Sequence, residues 1–183
     1  AAGCRAAVRA RQGGADHCRT ARRRRARLMN GTYTGRAMTL ADVPAVAALE
    51  ARLQAFPWTE GNFRDALDSG YDCRVWMDEQ GAVRAYAVVL YVLDESHLLT
   101  LGVAPEVQRQ GMGSAVMKHM MLAACTQGAV QMFLEVRLSN RAARGLYETL
   151  GFQQLSLRRR YYPAAEGGRE DAVVMRKELA PCE

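Results

Sequence analysis

At 183 residues and 49% apolar, the chain has room for one ordinary domain with its own core, and no apolar run approaches the ~20 residues of a membrane-crossing helix. The net charge of +6 is not spread over that domain: residues 1–28 hold nine arginines against one acid, Asp16, leaving 16 basic and 18 acidic groups for residues 29–183. A uniformly basic, polyanion-binding domain and a membrane partner are both excluded on this reading.

Residues 1–28 are rich in Ala, Arg and Gly and lack apolar periodicity, so they are expected to form a disordered tail ahead of a single domain, 29–183. The plainest reading is that the tail is not native sequence, since Met29-Asn30-Gly31 stands just before the first patterned segment. An RNA-binding arm or a targeting signal are the other readings, and nucleic-acid contact is expected only if the tail is native. An import presequence would also be Ser-rich, and this tail has no serine. Five scattered cysteines (Cys4, Cys18, Cys73, Cys125, Cys182) without a Cys-x-x-Cys predict reduced thiols and a cytoplasmic setting. His17 with Cys4 and Cys18 lacks a fourth ligand, and no metal is expected.

Thr34–Met38 reads as a first strand. Thr39 then caps a helix with Asp42 three residues on, Pro44 in its first turn and Val46, Leu49, Ala51 and Leu53 on its apolar face. Phe56-Pro57-Trp58 breaks that helix, and Thr59 caps another over Glu60–Ser69. The aromatic connector reads either as a packing staple or as a wall of a substrate groove. Cys73–Met77 and Ala82–Leu93 flank the turn Asp78–Gly81 as an antiparallel hairpin, and Asp94-Glu95-Ser96 turns the chain again. Several strands precede the long helix, which is not a regular doubly wound order. His97 and His119, taken as isolated from Asp or Cys partners, read as structural or surface groups.

Leu98–Val103 has the composition of a buried strand, Pro105 ends it, and a helix is expected from Ser114 after Gly111-Met112-Gly113. Strand, glycine-bearing loop and helix N-terminus in that order make an anion site, because free N–H groups and the helix dipole converge there. Gly113 is followed by Ser114-Ala115 rather than Lys-Ser/Thr, which excludes a nucleoside-triphosphate loop. Val116 stands where a dinucleotide loop needs a small residue. Gln/Arg-x-x-Gly-x-Gly/Ala does fit, through Gln108, Gly111 and Gly113.

Gln131–Arg137 predicts a strand with Phe133, Glu135 and Arg137 on one face and Leu134 and Val136 on the other. A carboxylate there either accepts a proton in a cleft or sits in a surface ion pair, with Arg137 or across strands. A helix is expected over Asn140–Leu150 with Gly151 closing it. Tyr147 in its last full turn is either core or a hydroxyl with a catalytic partner.

The loop QRQGMG, with LEVRLSN, LYETLGF, RRRYYP and the FPW connector, resembles the GCN5-related N-acetyltransferases (GNAT), in their ribosomal-protein-alanine branch, from about Ala37 to Lys177. The resemblance implies an α/β acyl-CoA N-acyltransferase fold: a mixed, mostly antiparallel sheet of about six or seven strands with helices on both faces. It implies acetyl-CoA as cosubstrate, Glu135 as general base and Tyr147 as the acid that protonates the departing thiolate. Leu101, Gly102 and Val103 would pair with the pantetheine arm. Arg109, Gln110, Gly111, Met112, Gly113 and Ser114 would hold the pyrophosphate, and Asn140 would touch CoA. Ser114 departs from the Arg or bulkier residue frequent in the family, which weakens one phosphate contact. Phe56, Trp58, Tyr161 and Tyr162 are assigned to the acceptor, with Glu170 or Asp171 meeting a basic residue near its N-terminus. The acceptor implied is the N-terminal alanine of a small-subunit ribosomal protein. A lysine or small-amine acceptor, or an RNA-binding module built on the arginine tail, are the alternatives.

Overall fold

The computed structural model describes residues 24–28, 31–164 and 167–180. Residues 1–23 and Met29-Asn30, on which most of the tail and start-site reading falls, lie outside these, as do His17, Cys4 and Cys18. The elements are β1 (Arg24–Leu28), β2 (Gly31–Ala37), α1 (Val43–Leu53), α2 (Glu60–Asp68), β3 (Asp72–Met77), β4 (Val83–Val92) and β5 (Glu95–Val103). After them come α3 (Met112–Thr126), β6 (Gln131–Arg137), α4 (Arg141–Thr149), β7 (Gln153–Pro163) and β8 (Arg169–Glu178).

All eight strands join one sheet in the order β1-β2-β3-β4-β5-β6-β8-β7, antiparallel everywhere except between β5 and β6. That is one strand beyond the expected six or seven. The addition is β1, which lies inside the segment expected to be disordered and pairs with β2 from Arg24↔Gly35 to Leu28↔Gly31. Main-chain pairing to an open sheet edge needs no side-chain alternation, so the composition of Arg24–Leu28 gave no sign of it.

β4 is the centre of the core. Ala85 through Val89 are all fully buried, and because successive side chains point to opposite faces, both faces of the sheet are covered. Tyr86 points toward α1 and α2, with its ring edge-on to Phe63 at 5.6 Å. On the other face Trp76 of β3, paired with Ala85, meets His119 of α3 edge-on at 5.5 Å, so His119 is structural as expected.

β5 begins at Glu95, earlier than expected, because Leu93 takes a left-handed conformation (φ 55°) and the hairpin turns within Leu93-Asp94. Cys125 departs from the expectation of reduced thiols: it is disulfide-bonded. The chain after β8 passes the end of α3, where the Cys125 sulfur lies 3.2 Å from the Ala180 carbonyl oxygen, a proximity invisible in the spacing. No described helix is long and apolar enough to cross a membrane.

The entry to α1 carries a buried carboxylate. Asp42 accepts two 2.6 Å bonds from the Arg36 guanidinium and two more, at 2.8 Å, from the Thr39 N–H and hydroxyl. Arg36 above all holds its pKa down, to about 2. A depressed folded-state pKa gives stability that is present above the unfolded value of about 4 and lost as pH falls toward 2. Asp42→Asn is expected to cost about 2 kcal/mol at pH 7. In urea titrations the gap between parent and variant should shrink below pH 4; a gap independent of pH would contradict the assignment.

Candidate active site

The site begins where β5 and β6 part. Their parallel pairing runs from Glu95↔Gln131 to Leu98↔Leu134 and ends there. β5 meanwhile keeps β4 as its partner as far as Val103, with a bulge between the Leu98 and Thr100 pairs that leaves Leu99 as the extra residue. A bulge bends its strand. From Leu99 onward β5 therefore has one bonded edge and one free edge, and Leu101, Gly102 and Val103 lie on that free stretch. Glu135 is the first residue of β6 beyond the last pair.

The end of β5 runs into the glycine loop. Gln108 Nε2 donates to the Val103 carbonyl at 2.9 Å, so the first residue of the loop motif ties the loop to the strand. Arg109 and Gly111 both take left-handed conformations (φ 60° and 87°), and Gly111 caps α3, which starts two residues earlier than expected because Met112 is buried. The helix's first main-chain bond is from Ala115 N–H to the Gly111 carbonyl at 3.0 Å. The N–H groups of Met112, Gly113 and Ser114 thus precede the ladder and are free for an anion.

Gly113 owes its identity to packing. A Cβ there would lie 3.0 Å from Leu146 Cδ2 and 3.9 Å from Val103 Cγ2, so the glycine brings loop, strand end and α4 together. Asn140 caps α4 by accepting from Ala143 N–H at 3.1 Å, which leaves its amide N–H groups for any CoA contact. On the same helix Tyr147 is 7% exposed, packed on Phe152 at 5.8 Å. Burial, and secondarily the nearby Tyr162, raise its hydroxyl's pKa, so it stays protonated at neutral pH. Among the described residues that hydroxyl has no hydrogen-bond partner.

Beside the splay lies a cavity of about 390 Å³ lined by Glu135, Trp58, Tyr161 and Tyr162, which the resemblance assigns to the site, and by His97 and Arg158, which it does not. Arg158 Nη1 is 2.7 Å from Glu135 Oε1, so the carboxylate is at once in a cleft and in a cross-strand ion pair. The Tyr161 hydroxyl bonds Glu135, and that bond is the main reason its own pKa is raised. Tyr162 donates to the Glu135 main-chain carbonyl at 3.3 Å, and burial followed by the Glu135 charge pushes its phenol up to about 12. Both phenols therefore remain hydrogen-bond donors through neutral pH.

His97 stacks on Phe133 (centroids 5.3 Å apart, planes at 17°) and its Nε2 is 3.3 Å from Glu95. Glu95, two residues earlier on the same face of β5, is its acidic neighbour, and pairing with β6 sets His97 opposite Phe133. Phe56 does not line the cavity. It joins the site through Arg137, whose guanidinium lies 5.6 Å from the Phe56 ring and 4.5 Å from that of Tyr162. Glu170 and Asp171 are already engaged within the protein. Glu170 accepts from Ser139 N–H (2.6 Å) and Arg137 (3.3 Å), and Asp171 from Arg160 N–H (2.7 Å), so neither is held ready for a basic acceptor residue. Among the described residues no cluster of three His, Cys, Asp or Glu side chains could hold a metal.

Residues 43–152 match the model of the acetyltransferase (GNAT) family. The ribosomal protein bS18-alanine N-acetyltransferase of Escherichia coli K12 is 41% identical over 134 residues, covering 73% of this chain and 89% of that protein. A crystal structure of a ribosomal-protein-alanine N-acetyltransferase from Escherichia coli superimposes with a TM-score of 0.76 at 37% identity, covering 82% of this chain and 96% of the other. A Sinorhizobium meliloti phosphinothricin acetyltransferase in complex with acetyl-CoA shares the fold at 22% identity, with a TM-score of 0.67 over 82% of this chain and 94% of its own. The strand splay, the glycine loop and these relatives agree: the chain belongs to the GNAT acetyltransferase family and is an acetyl-CoA-dependent N-acetyltransferase.

Proposed function

We propose that this enzyme acetylates the α-amine of an N-terminal alanine on a small-subunit ribosomal protein, bS18 by the name its relatives carry, by direct attack of the amine on acetyl-CoA. The observation that carries the reading is the position of Glu135. It faces an aromatic cavity at the residue where β5 and β6 separate, so its carboxylate stands beside the free strand edge. The cosubstrate fits that edge: extended backbone on Leu101–Val103 suits an amide-bearing pantetheine arm, and the free N–H groups of Met112–Ser114 suit its pyrophosphate.

An α-amine with a pKa of about 8 is largely protonated at neutral pH and must lose a proton before it attacks a thioester. Glu135 accepts that proton, directly or through water, while Arg158 and the Tyr161 hydroxyl fix the direction of its carboxylate. A main-chain N–H of the free β5 edge stabilises the charge that develops on the carbonyl oxygen. Tyr147, protonated and with no hydrogen-bond partner among the described residues, returns a proton to the departing thiolate. No cysteine is needed, and the described free thiol, Cys73, is buried, with its pKa pushed up to about 12.

Trp58, Tyr161 and Tyr162 form apolar walls suited to the small first residues of an extended peptide. Tyr162→Ala removes one wall, the hydrogen bond to the Glu135 carbonyl and one face of the Arg137 sandwich. It is expected to lower kcat/KM for an alanine-initiated peptide by about 30-fold, within the range of a few kcal/mol for a buried aromatic contact, with acetyl-CoA KM little changed. Unchanged peptide kinetics would remove the β7–β8 hairpin from the recognition surface. Tandem mass spectrometry of the product, showing one acetyl group on the α-amine, tests the reaction itself.

A further inference from the structure

Glu50 is 2% exposed, on the face of α1 turned to the sheet, and among the described residues no arginine, lysine or histidine pairs with it. A buried, unpaired carboxylate is costly where an apolar side chain would pack as well, which suggests that it is kept for position. Its two bonds lead to opposite parts of the site. One oxygen accepts the Trp58 main-chain N–H at 3.3 Å, and the other accepts the hydroxyl of Tyr86. Burial pushes its carboxyl upward, and these two bonds oppose that shift.

The contacts close into a ring. The Trp58 indole packs on Phe63 at 5.4 Å, Phe63 meets Tyr86 edge-on at 5.6 Å, Tyr86 bonds Glu50, and Glu50 holds the backbone of Trp58. Trp58 lines the cavity that contains Glu135. Tyr86 in turn lies directly beneath the free stretch of β5: its ring sits where a side chain of Gly102 would be, and Thr100 bonds its hydroxyl. The acceptor wall and the cosubstrate strand thus rest on one support, and Glu50 joins them.

We propose that Glu50 is a positioning residue for the amine acceptor, fixing the Trp58 wall at a set distance from the strand that carries the thioester. It does not touch the reacting atoms. A misplacement of about 1 Å at a reacting centre can cost on the order of 100-fold in rate, so loosening this wall is felt on the acceptor side of the reaction. The inference deepens the acceptor reading above and rests on it only for the identity of the peptide.

The test compares Glu50→Leu, Glu50→Gln and Tyr86→Phe in the full chain, with alanine-initiated peptide and acetyl-CoA varied separately. Glu50→Leu and Tyr86→Phe are expected to lower peptide kcat/KM at least tenfold while acetyl-CoA KM stays within twofold. Glu50→Gln, which keeps an acceptor oxygen, should recover most of the loss. Acrylamide quenching gives a readout independent of turnover. Of the two tryptophans Trp76 is buried, so quenching reports Trp58, and Glu50→Leu should raise its quenching constant about twofold. Should Glu50→Leu not fold, Tyr86→Phe, which removes only the hydroxyl, carries the test. Folded variants with parental peptide kinetics and parental quenching would overturn the proposal. A parent inactive on peptides but with quenching raised in Glu50→Leu would instead reject the peptide reading and keep the positioning role.

Discussion

Glu135→Gln is expected to lower kcat/KM for an alanine-initiated peptide by about 100-fold or more at pH 7, in the range of a lost general base. The substitution is nearly isosteric, and a glutamine can still receive bonds from Arg158 and Tyr161, so the loss reads as chemistry rather than collapse of the cavity. The deficit should depend on pH in one direction. As pH rises past about 8 the substrate amine arrives already deprotonated, and the need for a base falls. Parent and variant should therefore converge between pH 7 and pH 9.5. Tyr147→Phe is expected to cost less, about tenfold near neutral pH, because a thiolate leaves tolerably without help. Equal kcat/KM for Glu135→Gln and the parent at pH 7 would end the base assignment.

The second large effect is expected at Gly102. A Cβ there would fall 2.2 Å from Tyr86 Cε1 and 2.5 Å from its Cζ and hydroxyl oxygen. Tyr86 cannot yield easily, since it is fully buried and its hydroxyl is committed to Glu50. Gly102→Ala must therefore displace either the ring or the strand. Overpacking of this kind costs about 1–3 kcal/mol, and breaking the Glu50 bond adds about 1–3 more for a buried acceptor left unmet. Tm should fall by several degrees, and acetyl-CoA affinity by at least tenfold, because the displaced strand is the one with the free edge. Tyr86→Phe should not rescue Gly102→Ala, since the nearest contact is a ring carbon, whereas Tyr86→Leu should rescue part of the stability. Calorimetry and acetyl-CoA titration read both quantities, and parental values for Gly102→Ala would show that the strand has slack the packing denies.

What could be read from sequence followed side-chain period and turn chemistry. The alternation in β6 placed Glu135 and Phe133 on the face that the cavity occupies, with Met132, Leu134 and Val136 inward. Thr59 caps α2, and Gly111 and Gly151 are left-handed where the chain changes direction. What could not be read depends on register between distant strands. The parting of β5 and β6 follows from where pairing stops and from the bulge at Leu99, neither of which leaves a mark in Leu98–Val103. In sequence Arg158 is one of three consecutive arginines, and nothing sets it apart from Arg159 and Arg160. The register shift between Arg158 and Tyr162 on β7 breaks simple alternation, and only the folded hairpin sets Arg158 and Tyr161 on Glu135. Nothing in the sequence marks Glu50, because its partners Tyr86 and Trp58 are 36 and 8 residues away.

The central claim is that this acetyltransferase acts on a protein α-amine, and CoA release with two matched peptides tests it most directly. One peptide begins with a free alanine and contains no lysine; the other is N-terminally blocked and carries an internal lysine. Turnover on the first alone is the predicted result, and it should vanish when the alanine amine is blocked. Turnover on the lysine peptide alone would contradict the claim, leaving the fold and the roles of the strand edge and loop in place but moving the acceptor to a side-chain amine.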